Sequence, residues 1–144
     1  MRQHTSGAGG EKGYDYSMEL YIGGYAQGKL NYVLGRTGIP ASQVADGAEG
    51  LPEMETGKIR IINHFHLLVK GLLKEGKNPE TLTEEWMRRY PELIIISDEV
   101  GNGIVPMPKE DREYRERLGR ILCKTASEAE RVERILCGIG QRIK

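Results

Sequence analysis

The stretch "YIGGYAQGKLNYV", residues 21–33, follows the phosphate-binding pattern G-x-x-x-x-G-K-[ST] except at its last position. Gly23, Gly28 and Lys29 fall in register with the pattern, but the residue after the lysine is Leu30. A leucine side chain has no oxygen atom that could bind magnesium. The stretch therefore predicts either a nucleotide site that has lost a metal ligand or a glycine turn of similar sequence.

The residues on either side of this loop favour the nucleotide site. Residues 18–24 have the apolar side chains of a short strand, and residues 28–35 predict one or two helical turns that stop at Gly35 or Gly38. Between a strand and a helix, glycines let backbone N–H groups turn toward a phosphate, and the helix dipole and Lys29 add positive charge. We expect a catalytic Lys29 and a nucleotide-binding loop made of Gly23, Gly24, Tyr25, Ala26, Gln27, Gly28, Lys29 and Leu30.

Short apolar strands alternate with helices along the rest of the chain. The segment "LIIIS" at 93–97 is a continuous apolar run, which is typical of a strand that is covered on both faces. The alternation predicts an α/β fold with a mainly parallel sheet and flanking helices, and such sheets bind ligands at the carboxyl ends of their strands. Further strands are predicted at 41–47, at 58–65 and, followed by a glycine turn, within 131–144, and helices at 66–76, 78–92 and 109–130.

The length and charge of the chain limit the number of domains and the kinds of partner that we expect. Its 144 residues are enough for one domain with a hydrophobic core, and we assign that domain to residues 18–144. Residues 1–17 are rich in glycine and serine and are predicted to be a disordered lead-in, with Met18 as an alternative translation start. The counts of Lys+Arg and of Asp+Glu are both 21, which gives no indication of a nucleic-acid or membrane-surface partner.

The sequence also predicts a cytoplasmic protein. It has no apolar run near the ~20 residues that span a bilayer, and its N-terminus lacks the apolar core of a secretory signal. Cys123 and Cys137 are far apart in sequence and are interpreted as reduced, partly buried thiols. The charged run at 109–134 is interpreted as a solvated helix face.

The usual magnesium ligands of a phosphate-binding loop are absent or weakened. Leu30 replaces the serine or threonine after the lysine, and Asn63 ends the strand at 58–65, where an acidic residue is expected. An amide oxygen is a weaker ligand than a carboxylate for this hard cation. Asp98 and Glu99, which follow the apolar run, are the remaining candidates for a metal ligand, and Glu99 is also a candidate catalytic base.

Two histidines follow the strand at 58–65. At positions i and i+2 of an extended strand end, His64 and His66 would lie on the same side. They are candidate catalytic residues, either as a metal pair or as a nucleophile and its neighbour, although zinc sites need three or four ligands. The alternative is that both are satisfied polar residues beside Phe65.

The second half of the chain resembles a known family. The segments "LIIISDEVGNGIVP" at 93–106 and "CGIGQRIK" at 137–144, with the charged helix between them, are similar to the bifunctional adenosylcobinamide kinase/adenosylcobinamide-phosphate guanylyltransferases of cobalamin biosynthesis. "GGYAQGK" at 23–29 looks like that family's P-loop, which also follows the first strand. The resemblance runs from Met18 to Lys144 and is weakest at 35–57.

This resemblance implies a RecA-like P-loop fold, a trimeric assembly and a nucleotide substrate, either GTP or ATP. It implies a transferase that phosphorylates the aminopropanol hydroxyl of adenosylcobinamide, then takes GMP from GTP onto a histidine and passes it to the phosphorylated corrinoid. By the same analogy, residues 23–29 would hold the nucleotide phosphates.

The chain departs from the family pattern at Leu30, at Asn63 and between Gly35 and Lys58, where it has no histidine. One hypothesis is an active transferase with an altered site, in which Lys29 acts with a carboxylate and a histidine. A second is a non-catalytic relative that binds nucleotide or corrinoid, or regulates a complete paralogue by joining it in an oligomer. A third is an unrelated structural α/β domain. The three hypotheses do not decide whether the chain requires magnesium.

Overall fold

The computed structural model describes residues 17–99 and 107–144. The second half of the family-like segment at 93–106 therefore lies outside the described residues. Of the predicted lead-in only Ser17 is described, and its backbone N–H donates to the Pro91 carbonyl at 3.0 Å. The described elements are β1 (Glu19–Gly23), α1 (Lys29–Thr37), β2 (Val44–Asp46), β3 (Ile61–Asn63), α2 (Phe65–Lys74), α3 (Pro79–Arg89), β4 (Ile94–Asp98), α4 (Lys109–Glu128), β5 (Arg131–Leu136) and β6 (Ile139–Arg142).

The strands form one sheet in the order β2-β3-β4-β1-β5-β6. Every neighbouring pair from β2 to β5 is parallel, and β6 runs antiparallel to β5. Parallel neighbours need a crossover connection. The helices provide these connections except between β2 and β3, which residues 47–60 connect without an α-helix. The predicted α/β class with a mainly parallel sheet and flanking helices is confirmed. Its consequence for function is that β1, β3 and β4 end side by side at one edge.

The apolar runs of the strands are explained by cores on both faces of the sheet. Successive strand residues point to opposite faces, so Ile95 belongs to the core under α2, α3 and α4, while Ile94 and Ile96 belong to the core under α1. Trp86 belongs to the first of these cores and is 6% exposed. Within the described residues, no helix has the length and hydrophobicity needed to cross a membrane.

The structure corrects two of the predicted strands. The strand at 58–65 is only three residues long, because α2 already begins at Phe65. Residues 131–144 contain two strands instead of one: Cys137 and Gly138, with φ values of 51° and 75°, form the tight turn of a β-hairpin. The second strand was missed because β6 is mostly exposed and lacks a regular apolar alternation.

Two predictions about surface and burial are also wrong. Cys123 and Cys137 are free thiols, as expected, but both are exposed instead of partly buried. The charged run at 109–134 is a helix only as far as Glu128, and Glu133 lies in β5 and is 1% exposed. A buried acidic residue within a charged run cannot be distinguished from its exposed neighbours by charge density alone.

A buried polar network explains how Glu133 is tolerated. It accepts hydrogen bonds from the Tyr32 hydroxyl and from Arg131 Nε, and Arg36 Nε lies 3.3 Å from its carboxylate. Burial alone would raise the pKa of Glu133, but the bonds from Tyr32 and Arg131 outweigh it and hold the pKa below its usual value. The network therefore fixes α1 against β5. Its members are Glu19, Tyr21, Tyr32, Arg36, Arg131 and Glu133.

We expect Glu133→Ala to lower the free energy of unfolding by about 2 kcal/mol, because it leaves partly buried donors without their acceptor. The matched control is Glu116→Ala on the exposed face of α4, which should change stability by less than about 0.5 kcal/mol. Chemical denaturation of both variants measures the difference. Equal losses in the two variants would contradict a stabilising role for the network.

Candidate functional site

The carboxyl ends of β1, β3 and β4 border one cleft, with a volume of about 550 Å³. The loop after β1 forms one side of this cleft and the start of α2 forms the other. We call it the phosphate-loop cleft. Its lining residues are Tyr25, Ala26, Gln27, Gly28, Lys29, Leu30, Asn31, Asn63, His64, His66, Leu67 and Asp98.

The glycines of the loop are required by its close packing. A Cβ atom on Gly23 would lie 2.5 Å from the carbonyl oxygen of Ile135 on β5, so no larger residue fits there without a shift of the backbone. Gly28 has a φ of 80°, in the left-handed region that glycine adopts without strain, and it immediately precedes α1. Ala26 is also left-handed, with a φ of 57°. The loop therefore turns sharply into the helix, as the glycine spacing predicts.

The β5–β6 hairpin holds the loop from behind. The side-chain oxygen of Gln27 accepts a hydrogen bond from the backbone N–H of Cys137 at 2.6 Å, and the Gln27 carbonyl accepts one from Gly138 at 2.8 Å. The sequence did not predict this support, because the two segments are 110 residues apart. Gln27 was predicted as a nucleotide-binding residue, and the structure shows that it also anchors the loop.

Lys29 lies at the bottom of the cleft and is 8% exposed. Its Nζ donates to the Gly24 carbonyl at 2.7 Å and lies 2.8 Å from Asp98 Oδ1. A buried ammonium group is costly unless it is paired and hydrogen-bonded, and both conditions are met here. The structure thus brings together the lysine predicted from the loop and one of the two carboxylates predicted from the end of the fourth strand.

The other predicted carboxylate, Glu99, is engaged elsewhere. Its Oε2 accepts from Arg134 Nε at 2.8 Å, and its backbone N–H donates to the Gly23 carbonyl at 2.9 Å. Glu99 therefore connects β1 to β5 and is not among the residues that line the cleft. Its predicted role as a catalytic base is not supported by a contact with Lys29 or with either histidine among the described residues.

His66 holds the Asp98 carboxylate from the opposite side. Its Nδ1 accepts the backbone N–H of Asp98 at 3.1 Å, so the ring proton belongs on Nε2, which lies 3.3 Å from Asp98 Oδ2. Burial is the main cause that lowers the pKa of His66, helped by the charges of His64, Lys29 and Lys70 and opposed by Asp98. His66 is therefore a neutral side chain with both nitrogens in use.

His64 lies nearer the mouth of the cleft and contacts a carboxylate that the sequence analysis missed. Its Nδ1 is 2.8 Å from Oδ1 of Asp46, the last residue of β2. Asp46 also accepts the backbone N–H of Ala48 at 2.9 Å. Burial would raise the pKa of Asp46, but the bonds from Ala48 and His64 outweigh it and lower the pKa. The acidic residue at the end of a short predicted strand was the signal that could have identified it.

The predicted geometry of the two histidines is wrong, although they are neighbours in space. They do not lie along an extended strand: His64 is the left-handed residue before α2, with a φ of 55°, and His66 is the second residue of that helix. Their ring centroids are 5.8 Å apart in an edge-to-face arrangement. Each ring instead has its own aspartate partner.

The side chains of the cleft do not fit a protein-bound magnesium ion. Leu30 offers no oxygen, Asn63 offers only an amide, and both oxygens of Asp98 are occupied, one by Lys29 at 2.8 Å and one by His66 at 3.3 Å. Across residues 17–99 and 107–144, no group of three or more His, Cys, Asp or Glu side chains could hold a metal ion. Asp98 could bind a metal only by releasing these two partners.

We expect His66 to make the protein less stable in mild acid. Its folded pKa lies below the ordinary value of 6.5, so the unfolded chain binds more protons as the pH falls through that value, and stability falls with pH. His66→Gln should remove this component. Denaturant unfolding at pH 7 and pH 5 measures it, and a variant with the same loss of stability between the two pH values as the wild type would contradict the prediction.

Comparison with known proteins identifies the same family that the sequence segments resemble. The model of the family described as "Cobinamide kinase / cobinamide phosphate guanyltransferase" matches residues 48–143, a range that begins after the phosphate loop and includes His64, His66 and Asp98. This range is about two thirds of the chain.

Two curated relatives carry the name "Bifunctional adenosylcobalamin biosynthesis protein CobU". The protein from Escherichia coli K12 is 36% identical over 65 residues, which are 45% of this chain and 36% of the relative. The protein from Salmonella typhimurium LT2 is 36% identical over 52 residues, 36% of this chain and 29% of the relative. The chain thus matches about a third of the length of either relative. With the family model covering two thirds of its residues, the chain belongs to the CobU family of cobinamide kinases/cobinamide phosphate guanyltransferases.

Proposed function

We propose that this chain binds the phosphates of GTP or ATP in the phosphate-loop cleft and acts in adenosylcobalamin biosynthesis. The observation that carries the proposal is the position of Lys29, which is buried at the bottom of the cleft between the Gly24 carbonyl and Asp98. Family membership supports a role in adenosylcobalamin biosynthesis. The strand–loop–helix geometry around Lys29 supports the binding of nucleotide phosphates.

The start of α1 adds a second attraction for phosphate. Its N-cap residue, Gly28, has no side chain that could satisfy the first N–H groups, and the first turn contains no acidic residue. Free N–H groups at a helix start carry a partial positive charge and bind anions. Together with Lys29, they are the groups that would offset the charge of a nucleotide phosphate in a cleft without protein ligands for magnesium.

The reaction that fits this cleft best is phosphoryl transfer from the nucleotide to the hydroxyl of adenosylcobinamide. The acceptor is inferred from the family, and His64 and Asn63 line the same cleft as Lys29. Guanylyl transfer is the second activity of the family. His64 is the candidate guanylyl acceptor in this chain, because Asp98 occupies both nitrogens of His66.

A second candidate function is that of a non-catalytic relative that binds nucleotide or corrinoid and assembles with a complete paralogue. The replacement of two magnesium ligands by Leu30 and Asn63 favours this alternative. A homotrimer, which the family resemblance implies, is proposed for the transferase. Incubation with adenosylcobinamide and GTP or ATP, followed by separation of the corrinoids, distinguishes the two: formation of adenosylcobinamide phosphate supports the transferase, and its absence together with nucleotide binding supports the alternative.

We expect nucleotide binding that depends little on magnesium and strongly on Lys29. Calorimetry with GTP and with ATP should give similar affinities with and without Mg²⁺, and Lys29→Ala should weaken binding at least about tenfold, or about 1.4 kcal/mol. The control is Lys58→Ala, which changes an exposed lysine outside the cleft. No nucleotide binding in the wild type, or equal affinity in Lys29→Ala, would refute the proposed site.

The double variant Leu30→Ser/Asn63→Asp should acquire a magnesium dependence. It restores a hydroxyl after the lysine and a carboxylate at the end of β3, the two ligand types that phosphate-binding loops use. We expect Mg²⁺ to tighten its nucleotide affinity several-fold. Leu34→Ser is the matched control, because it changes a partly buried leucine of α1 that does not line the cleft. A wild type that already requires Mg²⁺ would contradict this account of the cleft.

A further inference from the structure

We propose that Asp46 and His64 form a proton-accepting pair for the acceptor hydroxyl. In this pair, His64 Nε2 takes the proton and Asp46 is the positioning residue that makes Nε2 basic and aims it. The inference rests on the proposed function, because it assumes that the phosphate-loop cleft holds a nucleoside triphosphate. The pair lies at the ends of β2 and β3. The other charged residues of the cleft, Lys29 and Asp98, lie after β1 and at the end of β4.

The contact with Asp46 determines which nitrogen of His64 is free. Asp46 Oδ1 is 2.8 Å from Nδ1. An ionised carboxylate only accepts hydrogen bonds, so in the neutral ring the proton must be on Nδ1 and the lone pair on Nε2. A second hydrogen bond, from Ala48 N–H at 2.9 Å, keeps the carboxylate from rotating away. The pair therefore leaves a basic nitrogen on a ring that lines the cleft.

The backbone is built to bring these two residues together. Asp46 is aligned with Asn63 in the parallel pairing of β2 and β3, so His64 follows immediately beyond it. Gly47 makes the approach possible: a Cβ atom there would lie 2.4 Å from the His64 carbonyl oxygen and 2.9 Å from Leu68 Cβ. His64 itself has a φ of 55°, a conformation that costs energy in residues other than glycine.

The neighbouring histidine, His66, has its ring proton on the other nitrogen. His66 accepts the backbone N–H of Asp98 on Nδ1 and presents Nε2–H to the carboxylate of the same residue. Adjacent histidines of one cleft thus have opposite tautomers. His66 fixes Asp98 beside Lys29, whereas His64, which is 42% exposed, keeps Nε2 available at the cleft.

The proposed step transfers the γ-phosphoryl group of the nucleotide to the acceptor hydroxyl. The hydroxyl oxygen of the acceptor forms a bond to the γ-phosphorus, and the bond from that phosphorus to the β–γ bridging oxygen breaks. The nucleoside diphosphate leaves with the electron pair, and the hydroxyl proton moves to His64 Nε2. The imidazolium that results is stabilised by Asp46, and the charge on the transferred phosphoryl group is offset by Lys29 and the start of α1.

The first test reads the tautomers directly and needs no substrate. Long-range ¹H–¹⁵N correlation spectra of the histidine side chains, assigned with His64→Gln and His66→Gln, should show Nδ1–H for His64 and Nε2–H for His66. Asp46→Asn should move His64 toward the Nε2–H form, because the amide can donate to Nδ1. Glu49→Gln, an exposed change in the same turn, is the control and should alter neither ring. An Nε2–H tautomer of His64 in the wild type, or no change in Asp46→Asn, overturns the pairing.

The second test measures transfer to adenosylcobinamide at saturating GTP or ATP. His64→Gln should lower kcat about 10²–10⁴-fold, Asp46→Asn should lower it less, and Glu49→Gln should leave it unchanged. Retained kcat in His64→Gln overturns the proposal. An acid-labile phosphoramidate on His64 that carries the γ-phosphate also overturns it, because Nε2 would then be the nucleophile of this step. A wild type that binds nucleotide but transfers no phosphate refutes the base role while leaving nucleotide binding intact, whereas loss of binding would refute the proposed function itself.

Discussion

The salt bridge between Lys29 and Asp98 joins the loop after β1 to the end of β4, at the centre of the sheet. A lysine that is 8% exposed is stable only because the carboxylate and the Gly24 carbonyl replace water around its ammonium group. The same contact holds the positive charge of Lys29 at the bottom of the cleft. The rest of the cleft is arranged around this pair.

Asp98 is as important to this arrangement as the lysine. Its backbone N–H and one carboxylate oxygen determine the tautomer of His66, and its other oxygen binds Lys29. A carboxylate with these partners is neither a free base nor a ready metal ligand. Leu30 and Asn63 stand where magnesium ligands are usual, and the carboxylate that lines the cleft is itself paired with protein groups.

Strands at both edges of the sheet hold residues of the cleft in place. The β5–β6 turn supports the phosphate loop through Gln27, and β2 supplies Asp46 to His64. Both contacts depend on close backbone approaches, at Gly23 against β5 and at Gly47 against the start of α2. The short, irregular segments thus supply hydrogen-bond partners to the residues of the cleft.

The sequence by itself determined the features that depend on neighbouring residues. The glycine spacing of the phosphate loop, the helix that follows it and the doubly covered strand at 93–97 all result from local backbone preferences and apolar patterning. The tertiary structure decided the partners of the polar and charged groups. Lys29 with Asp98, Gln27 with Cys137 and His64 with Asp46 are far apart in sequence, and they meet only because the strand order β2-β3-β4-β1-β5-β6 places their ends together. No local pattern encodes that order, because it results from the packing of the whole sheet against its helices.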